Sequence, residues 1–371
     1  MGYLSRIKTI SVAVFLAVLG VSLFSSCDDN DDDSGGSAAM LDQAILFEGK
    51  LTTGGSFSKD FILDIIGDTN IDVQNPLEVT VGNYGMLRSA VGDKAGIVDQ
   101  LKVAGPVDGT DLAFISECSS YGKLRYVDLS GAQLKGDRLP DRSFASTYEY
   151  KDEYGAIELS LFVPLYRVVL PAAVKEIGSE AFSHVLLTEF AMPESLVKLK
   201  SGCFSNCMLL GGELSIPEGV SEVPDEAFMR TSSLESIVIA GTVDKIGEQA
   251  FFGTSARSLT ICEGVREIEE EAFMSSRLEE VSIPSTLQRI EPLAFGNMDR
   301  LKTIRTSAVN PPDAANHGED FDSPSGKCYP DAFGDDKWFD STPHTVVVYV
   351  PDGAADKYAS SRGWDWFSDF R

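Results

Sequence analysis

Histidine is scarce in this 371-residue chain, where only His184, His317 and His344 occur. None stands at a spacing typical of metal ligands, and no serine or cysteine nucleophile motif accompanies them. A glycine-rich phosphate loop following a strand is also missing. Carboxylates are plentiful, so counting leaves a catalytic pair for sugar hydrolysis open, although such a pair needs a defined cleft. The sequence therefore favours a protein that is not an enzyme and that needs no cofactor.

Basic residues are few: 31 Lys and Arg stand against 57 Asp and Glu, which gives a formal net charge of −26. Proteins bind nucleic acids by neutralising phosphates with basic side chains. The chain has no basic run that would offset its acidity, and docking to anionic lipid headgroups is disfavoured for the same reason. We therefore expect no nucleic-acid partner, and contact with a membrane only through a lipid anchor.

An apolar run of membrane-spanning length is also lacking. Residues 10–24 form an uncharged run of 15 residues after Arg6 and Lys8, whereas a spanning helix needs about 20. This pattern is typical of an export signal. Residues 23–27 resemble a bacterial lipobox, with Cys27 as the lipidated first residue of the mature chain. The alternative is an ordinary secretory signal in which the cysteine is incidental.

An acidic segment follows Cys27. Residues 28–33 are all aspartate except Asn30, and a Ser-Gly-Gly-Ser segment comes next. A calcium loop would need glycine at the sixth position, where Asp33 stands, and a closing glutamate at the twelfth. The simple interpretation is a solvated tether. The run also resembles the acidic export signal of Bacteroidota lipoproteins, which implies an outer-membrane location facing the cell exterior.

Phenylalanine returns at a nearly constant interval in the middle of the chain. Successive members of the series are separated by 22, 24, 23, 22 and 22 residues, and five of the six follow an alanine. The series is Phe182, Phe204, Phe228, Phe251, Phe273 and Phe295. A period of this size is typical of a leucine-rich-repeat solenoid. Such arrays usually present long surfaces, and we expect each ring to fill the interior of one coil.

The cleanest copy of the repeat spans residues 278–295. In its strand, Val281 and Ile283 face one side, while the intervening polar residues face the other. Pro284 ends the strand because it offers no amide to a ladder. Residues 287–290 supply a second apolar edge, and residues 291–295 are predicted to form a single helical turn.

The repeat resembles the BspA-like leucine-rich repeats of Bacteroidota surface proteins. The pattern Leu-x-x-Ile-x-Ile-Pro followed by Val-x-x-Ile-Gly-x-x-Ala-Phe is almost complete in residues 165–182 and recurs over about residues 120–306. Ala240 and Cys262 replace the proline in two copies. The resemblance implies a leucine-rich-repeat solenoid, strand-rich with short helical turns, that is preceded here by a small α+β amino-terminal region. It also implies a surface protein associated with adhesion to host matrix proteins or other bacteria.

Five cysteines remain after Cys27, and this odd number excludes a full disulfide framework. Cys203 and Cys207 could suggest a metal site. The repeat explains them more simply, because Cys203 replaces the alanine before Phe204 and Cys207 lies three residues after it. Small buried side chains suit both positions.

The flanks extend the likeness to this family. Residues 101–112 look like a lead-in, with Thr110 capping a short helix that runs through Ile115. Residues 346–367 resemble a closing segment, in which Trp364 and Trp366 are predicted to form the core of a cap; the alternative is a platform for sugar stacking. Long loops are expected at 145–160 and 310–345. Acids between 319 and 336 could ligate calcium, or simply solvate their loop.

These observations predict five segments. They are a lipoprotein signal peptide (1–26), an acidic Gly/Ser tether (27–44), an amino-terminal region with the lead-in (45–118), leucine-rich repeats (119–309), and a loop with a carboxy-terminal cap (310–371). Within 45–118, strand-like runs occur at 62–66 and 77–81, and a helix is predicted near 86–91.

The candidate binding face is the outward column of the predicted strands. By alternation it holds Tyr126, Asp128, Arg167, Glu189, Glu213, Ser215, Ser236, Val238, Ser258, Thr260, Glu280, Ser282, Thr303 and Arg305. The alternative is a sheet face that is merely solvated. We expect a monomeric, non-enzymatic cell-surface lipoprotein whose solenoid mediates adhesion or protein–protein binding. An accessory glycan-binding lipoprotein is the alternative function.

Overall fold

A computed structural model describes residues 44–47, 50–53, 68–152, 155–315, 331–334 and 345–371. The signal peptide, Cys27, the acidic tether and the strand predicted at 62–66 lie outside these residues. The chain divides into two compact units, the first containing residues 1–135, 143–169 and 184–188. The second contains residues 136–142, 170–183 and 189–371.

The chain is rich in short strands and has few helices. In chain order the strands are β1 (Ala44–Phe47), β2 (Lys50–Thr53), β3 (Leu77–Thr80), β4 (Gln100–Val107), β5 (Tyr126–Leu134), β6 (Arg138–Leu139), β7 (Ser146–Asp152), β8 (Gly155–Phe162), β9 (Arg167–Val169), β10 (Glu176–Ile177), β11 (Lys198–Leu199), β12 (Gly211–Ile216), β13 (Glu222–Val223), β14 (Ser233–Ile239), β15 (Lys245–Ile246), β16 (Ser258–Ile261), β17 (Glu267–Ile268), β18 (Glu280–Ile283), β19 (Arg289–Ile290), β20 (Thr303–Thr306), β21 (Val347–Tyr349) and β22 (Asp369–Phe370). The helices are α1 (Leu87–Val91), a 3-10 helix (Gly92–Gly96), α2 (Gly109–Ser120) and α3 (Ala355–Ala359). No helix within the described ranges is long and apolar enough to cross a membrane.

The first unit contains a parallel sheet with the strand order β3-β4-β5-β9. Leu101, Val103 and Val127 point inward and are fully buried, as alternation along a strand requires. The ladder already begins at Leu77, upstream of the segment where the repeat pattern is recognisable. Helix α1 lies between β3 and β4, and α2 lies between β4 and β5. Helix α2 contains an Ala113-Phe114 pair of its own, and Phe114 is buried.

Helix α2 begins at a capping box formed by Asp108 and Asp111. The Asp108 carboxylate accepts from the backbone N–H groups of Thr110 and Asp111, and the Asp111 side chain accepts from the Asp108 N–H at 3.1 Å. The prediction that Thr110 caps a helix ending at Ile115 was therefore wrong, since the cap is Asp108 and the helix continues to Ser120. Aspartate can occupy both positions of a capping box, because each carboxylate accepts a hydrogen bond from the backbone N–H of the other residue.

An antiparallel hairpin occupies the segment expected to be a long loop at 145–160. Strands β7 and β8 pair from Ser146↔Leu161 to Asp152↔Gly155, and β8 also pairs with β1 in a sheet of order β2-β1-β8-β7. The sequence signal was present, because Tyr148 and Tyr150 alternate with charged residues at a period of two.

The second unit is a stack of coils built on parallel strands. Its seven-stranded sheet has the order β12-β14-β16-β18-β20-β21-β22, and a second sheet has the order β13-β15-β17-β19. Inward positions lie opposite one another from coil to coil, as in Leu259↔Val281 and Val281↔Ile304. This is the predicted fold: a parallel β-solenoid of leucine-rich-repeat type with few helices.

The periodic phenylalanines form a continuous column inside the second unit. All are at most 1% exposed. Neighbouring rings lie 5.0–5.6 Å apart between centroids and within 4–13° of parallel, which is an offset-stacked arrangement. The column includes a seventh ring, Phe333, which stacks on Phe295. The long interruption after residue 309 concealed this Ala332-Phe333 copy in the sequence.

The turn before each phenylalanine is tighter than a continuous helix. In the copy ending at Phe295, the N–H of Ala294 donates to the carbonyl of Glu291, and Gly296 donates to Leu293. The residue before the alanine has a positive φ, from 52° at Gln249 to 57° at Glu226. This backbone conformation turns the following N–H groups toward carbonyl oxygens of the neighbouring coil. For example, the Phe251 N–H donates to the carbonyl of Ala272 at 2.7 Å.

An aromatic cap closes the column at Phe333. The Trp364 ring lies 4.9 Å from Phe333, and Tyr358 lies 5.0 Å from Trp364. Trp364 is fully buried, and its indole N–H donates to the carbonyl of Pro312 at 2.9 Å. The cap prediction holds for Trp364, whereas Trp366 is only partly buried. Covering the last apolar coil in this way is a general requirement of solenoids.

Candidate binding face and groove

Ten of the predicted outward residues lie on the seven-stranded sheet. One row runs Glu213, Ser236, Ser258, Glu280 and Thr303, with each residue opposite the next in register. A second row runs Ser215, Val238, Thr260, Ser282, Arg305 and Tyr349. All of these side chains are partly or fully exposed. The two rows form a continuous surface, here called the outward column.

Four predicted residues lie elsewhere. Tyr126, Asp128 and Arg167 belong to the sheet of the first unit, where the Arg167 guanidinium carbon lies 5.9 Å from the centre of the Tyr126 ring. Tyr126 is only 7% exposed, and burial raises the pKa of its hydroxyl. Glu189 is exposed and belongs to no strand. The structure therefore does not bring these four residues into the outward column.

A shallow groove of about 570 Å³ lies where strands β16, β18, β20 and β21 end. Its lining combines predicted residues, such as Ser282 and Arg305, with others that the sequence analysis missed. The latter include Glu263, Ser307, Tyr349 and Pro351. Glu263, Ser307 and Pro351 follow the ends of their strands, so alternation within a strand does not identify them. Tyr349 is the last residue of β21 and lies opposite Arg305.

Glu263 connects three successive coils at the edge of the groove. One carboxylate oxygen accepts from the Ser285 N–H at 3.0 Å and from the Ser307 hydroxyl at 2.9 Å. The other accepts from the Ser285 hydroxyl at 2.8 Å and the Thr286 N–H at 3.2 Å. The Ser285 amide is the main cause that lowers the pKa of Glu263, so this carboxylate is ionised at neutral pH. Positions 263, 285 and 307 are 22 residues apart, and this spacing is the signal that could have revealed the contact.

Arg305 and Tyr349 lie side by side in the same groove. The Arg305 guanidinium carbon is 4.2 Å from the centre of the Tyr349 ring, close enough for a cation–π interaction. Arg305 is exposed, and no ion pair to it is found among the described residues. The pair thus offers an exposed guanidinium held against an aromatic ring.

Cys203 and Cys207 behave as small core residues, as the repeat pattern predicts. Cys203 and Cys207 are buried free thiols, and burial raises the pKa of Cys203 to about 12. In the described part of the chain no group of three or more His, Cys, Asp or Glu side chains is placed to hold a metal ion. Most of the acids considered for calcium lie outside that part, and Asp331 forms an ion pair with Arg362 at 3.4 Å.

With the stacked coils described, the repeats can be compared with known families. Residues 162–276 and 210–310 match the family model of the BspA type leucine-rich repeat region. The match accounts for six copies and covers the coils that carry the outward column from β12 to β20. No curated protein matches the chain.

Several solved structures are similar to this chain at low identity. A leucine-rich repeat protein from Bacteroides ovatus is 17% identical, with 81% of this chain and 82% of that chain covered and a TM-score of 0.38. A leucine-rich cell surface protein from Faecalibacterium prausnitzii is 18% identical over 56% and 80%, with a TM-score of 0.25. The pneumococcal vaccine antigen PcpA is 16% identical over 73% and 79%, with a TM-score of 0.27.

Proposed function

We propose that this protein is a non-enzymatic, surface-exposed lipoprotein that binds other proteins through its outward column. The observation that carries the proposal is the in-register column itself. It crosses six parallel strands, about 4.8 Å apart, and so extends over roughly 24 Å, a length suited to a protein interface of ordinary size. Hydroxyl, carboxylate and guanidinium groups on this surface supply directional contacts without requiring a deep pocket.

The arrangement in the groove supports binding in preference to catalysis. Glu263 is the one carboxylate among the residues that line the groove, and four hydrogen-bond donors engage its oxygens. A general base needs a free lone pair within reach of the proton it removes. Glu263 therefore stabilises the contacts between neighbouring coils.

The proposed location rests on the amino-terminal sequence. Residues 10–24 supply the export signal, Cys27 supplies the acylation site, and the acidic run that follows directs the monomeric protein to the outer face of the outer membrane. Several acyl chains anchor firmly because each buried methylene contributes about 0.8 kcal/mol. Replacing Cys27 by serine should abolish incorporation of labelled palmitate. Protease treatment of intact cells should digest the wild-type protein, and full protection would contradict exposure at the surface.

A solid-phase screen tests the binding function. The mature chain is presented to immobilised matrix proteins, bacterial surface proteins and oligosaccharides. The proposal predicts retention on at least one protein, with about tenfold weaker binding when Thr260→Arg and Ser282→Arg obstruct the outward column. Gln288→Arg provides a matched control, since Gln288 is exposed but lies outside that column. Retention on oligosaccharides alone would replace protein binding with the accessory glycan-binding function.

A further inference from the structure

The groove contains one cationic side chain, Arg305, for which no ion-pair partner is found among the described residues. Arg305 stands opposite Ser282 on one side and Tyr349 on the other, in a single row across β18, β20 and β21. The guanidinium of Arg305 lies over the Tyr349 ring. A guanidinium held against an aromatic ring loses part of its rotational freedom before it binds, which lowers the entropic cost of accepting a ligand.

Glu263, the one carboxylate in the lining, is engaged by donors other than Arg305. Both oxygens of Glu263 are engaged by donors from residues 285, 286 and 307. Within the described residues, the groove therefore combines a satisfied anion with a cation that has no ion-pair partner. The complementary ligand carries a negative group that accepts the fork of N–H donors, and a carboxylate has this geometry.

We infer that Arg305 receives a single carboxylate, carried by an acidic side chain or the carboxyl terminus of a protein segment that lies in the groove. This inference rests on the proposed function and names the chemistry of the partner. The hydroxyl of Ser282 lines the groove beside the guanidinium, and Pro284 and Pro351 provide apolar walls. An extended peptide with one acidic residue flanked by apolar residues matches this lining.

Charge and aromatic geometry disfavour two other kinds of ligand, dense polyanions and stacked sugars. The chain carries a formal net charge of −26, which repels dense polyanions such as sulfated polysaccharides. Tyr349 is the one aromatic residue among those that line the groove, and Arg305 covers a face of its ring. That face is consequently occupied and does not serve as a stacking surface for a sugar.

A peptide array provides the test. Extended heptapeptides with a central glutamate and varied apolar neighbours are immobilised beside the same peptides with glutamine. The inference predicts that the wild-type chain binds selected glutamate peptides about 10- to 100-fold more tightly than their glutamine partners, as expected for hydrogen bonds to a charged group. Arg305→Ala should remove this preference for glutamate. Arg305→Lys keeps the positive charge but loses the paired N–H donors of the guanidinium, so it should retain only part of the preference.

Two controls separate the contact from general effects. Arg277→Ala removes another exposed arginine that lies outside the groove, and it should bind like the wild type. Thermal unfolding of the Arg305 variants should match that of the wild type because Arg305 is exposed. Raising the salt concentration should weaken binding only a few-fold, since one charge pair is screened.

Several results would overturn the inference. Equal binding of glutamate and glutamine peptides, or unchanged binding by Arg305→Ala, would exclude the proposed contact. Binding of a sialylated or uronic-acid oligosaccharide in place of the peptides would assign the groove to glycans. Matrix proteins retained equally by wild type and Arg305→Ala would leave protein binding standing while removing this contact. Failure of every immobilised protein to bind would reject the proposed function itself.

Discussion

Truncating one ring in the middle of the phenylalanine column tests the physical basis of the fold. Phe251 is fully buried and stacks on Phe228 and Phe273 at 5.3 and 5.2 Å. Phe251→Ala removes the ring and both stacking contacts, and its neighbours are held by coils on either side that limit collapse into the cavity. We expect a loss of about 3–5 kcal/mol in the free energy of unfolding.

The effect should be visible in thermal unfolding followed by circular dichroism. For a unit of about 200 residues, such a loss lowers the melting temperature by roughly 6–20 °C. Ser236→Ala is the matched control, because Ser236 lies on the outward column and surface substitutions change stability by about 0.5 kcal/mol or less. Equal melting temperatures for the two variants would refute the assignment of Phe251 to a stacked interior.

Three further predictions concern single contacts. Gly264→Ala should lower the free energy of unfolding, measured by urea titration, by about 2 kcal/mol or more. The reason is that Gly264 has a φ of 128° and an added Cβ would overlap the Gly241 carbonyl oxygen. Gly82→Ala is the control, and it should be nearly neutral because its Cβ would meet open space. Asp111→Ala should cost about 2 kcal/mol, since its buried carboxylate caps α2 and accepts from two more distant amides, and unchanged hydrogen exchange in α2 would contradict this role. Because the pKa of Glu263 lies below its ordinary value of 4.5, its contribution to stability is present above that pH and is lost as pH falls through the lowered pKa. The wild type should therefore lose more stability than Glu263→Gln between neutral and acidic pH in parallel denaturation curves, and identical pH profiles would disprove the contact.

The coil architecture was predictable because each repeat buries the same kinds of residue at the same positions. Val281 and Ile283 alternate with polar neighbours, and a phenylalanine recurs in each coil, after an alanine in five of the six copies. These local signals fix the strand faces and the interior column. The periodicity is lost after residue 309, however, and there Phe333 was not recognised although it continues the stack.

Other features depend on contacts that periodicity does not encode. Glu226, Gln249 and Leu293 adopt a positive φ, which residue type alone seldom indicates outside glycine. The groove joins residues beyond the strand ends, and its cation–π pair links Arg305 to Tyr349, 44 positions along the chain. A long insertion separates the two residues, so only the folded ladder shows that their strands are neighbours.

Pulsed electron paramagnetic resonance between spin labels on the seven-stranded sheet tests the stacked-coil architecture most directly. Labels are placed at Glu213 and, in turn, at Thr303, Val347 or Asp369, with Cys262 and Cys328 replaced so that labelling is specific. The register places these sites four, five and six strands from Glu213, which corresponds to backbone separations of roughly 19, 24 and 29 Å. We predict distances that increase by about one strand spacing at each step. Distances that fail to increase in this order would contradict a regular ladder of parallel coils.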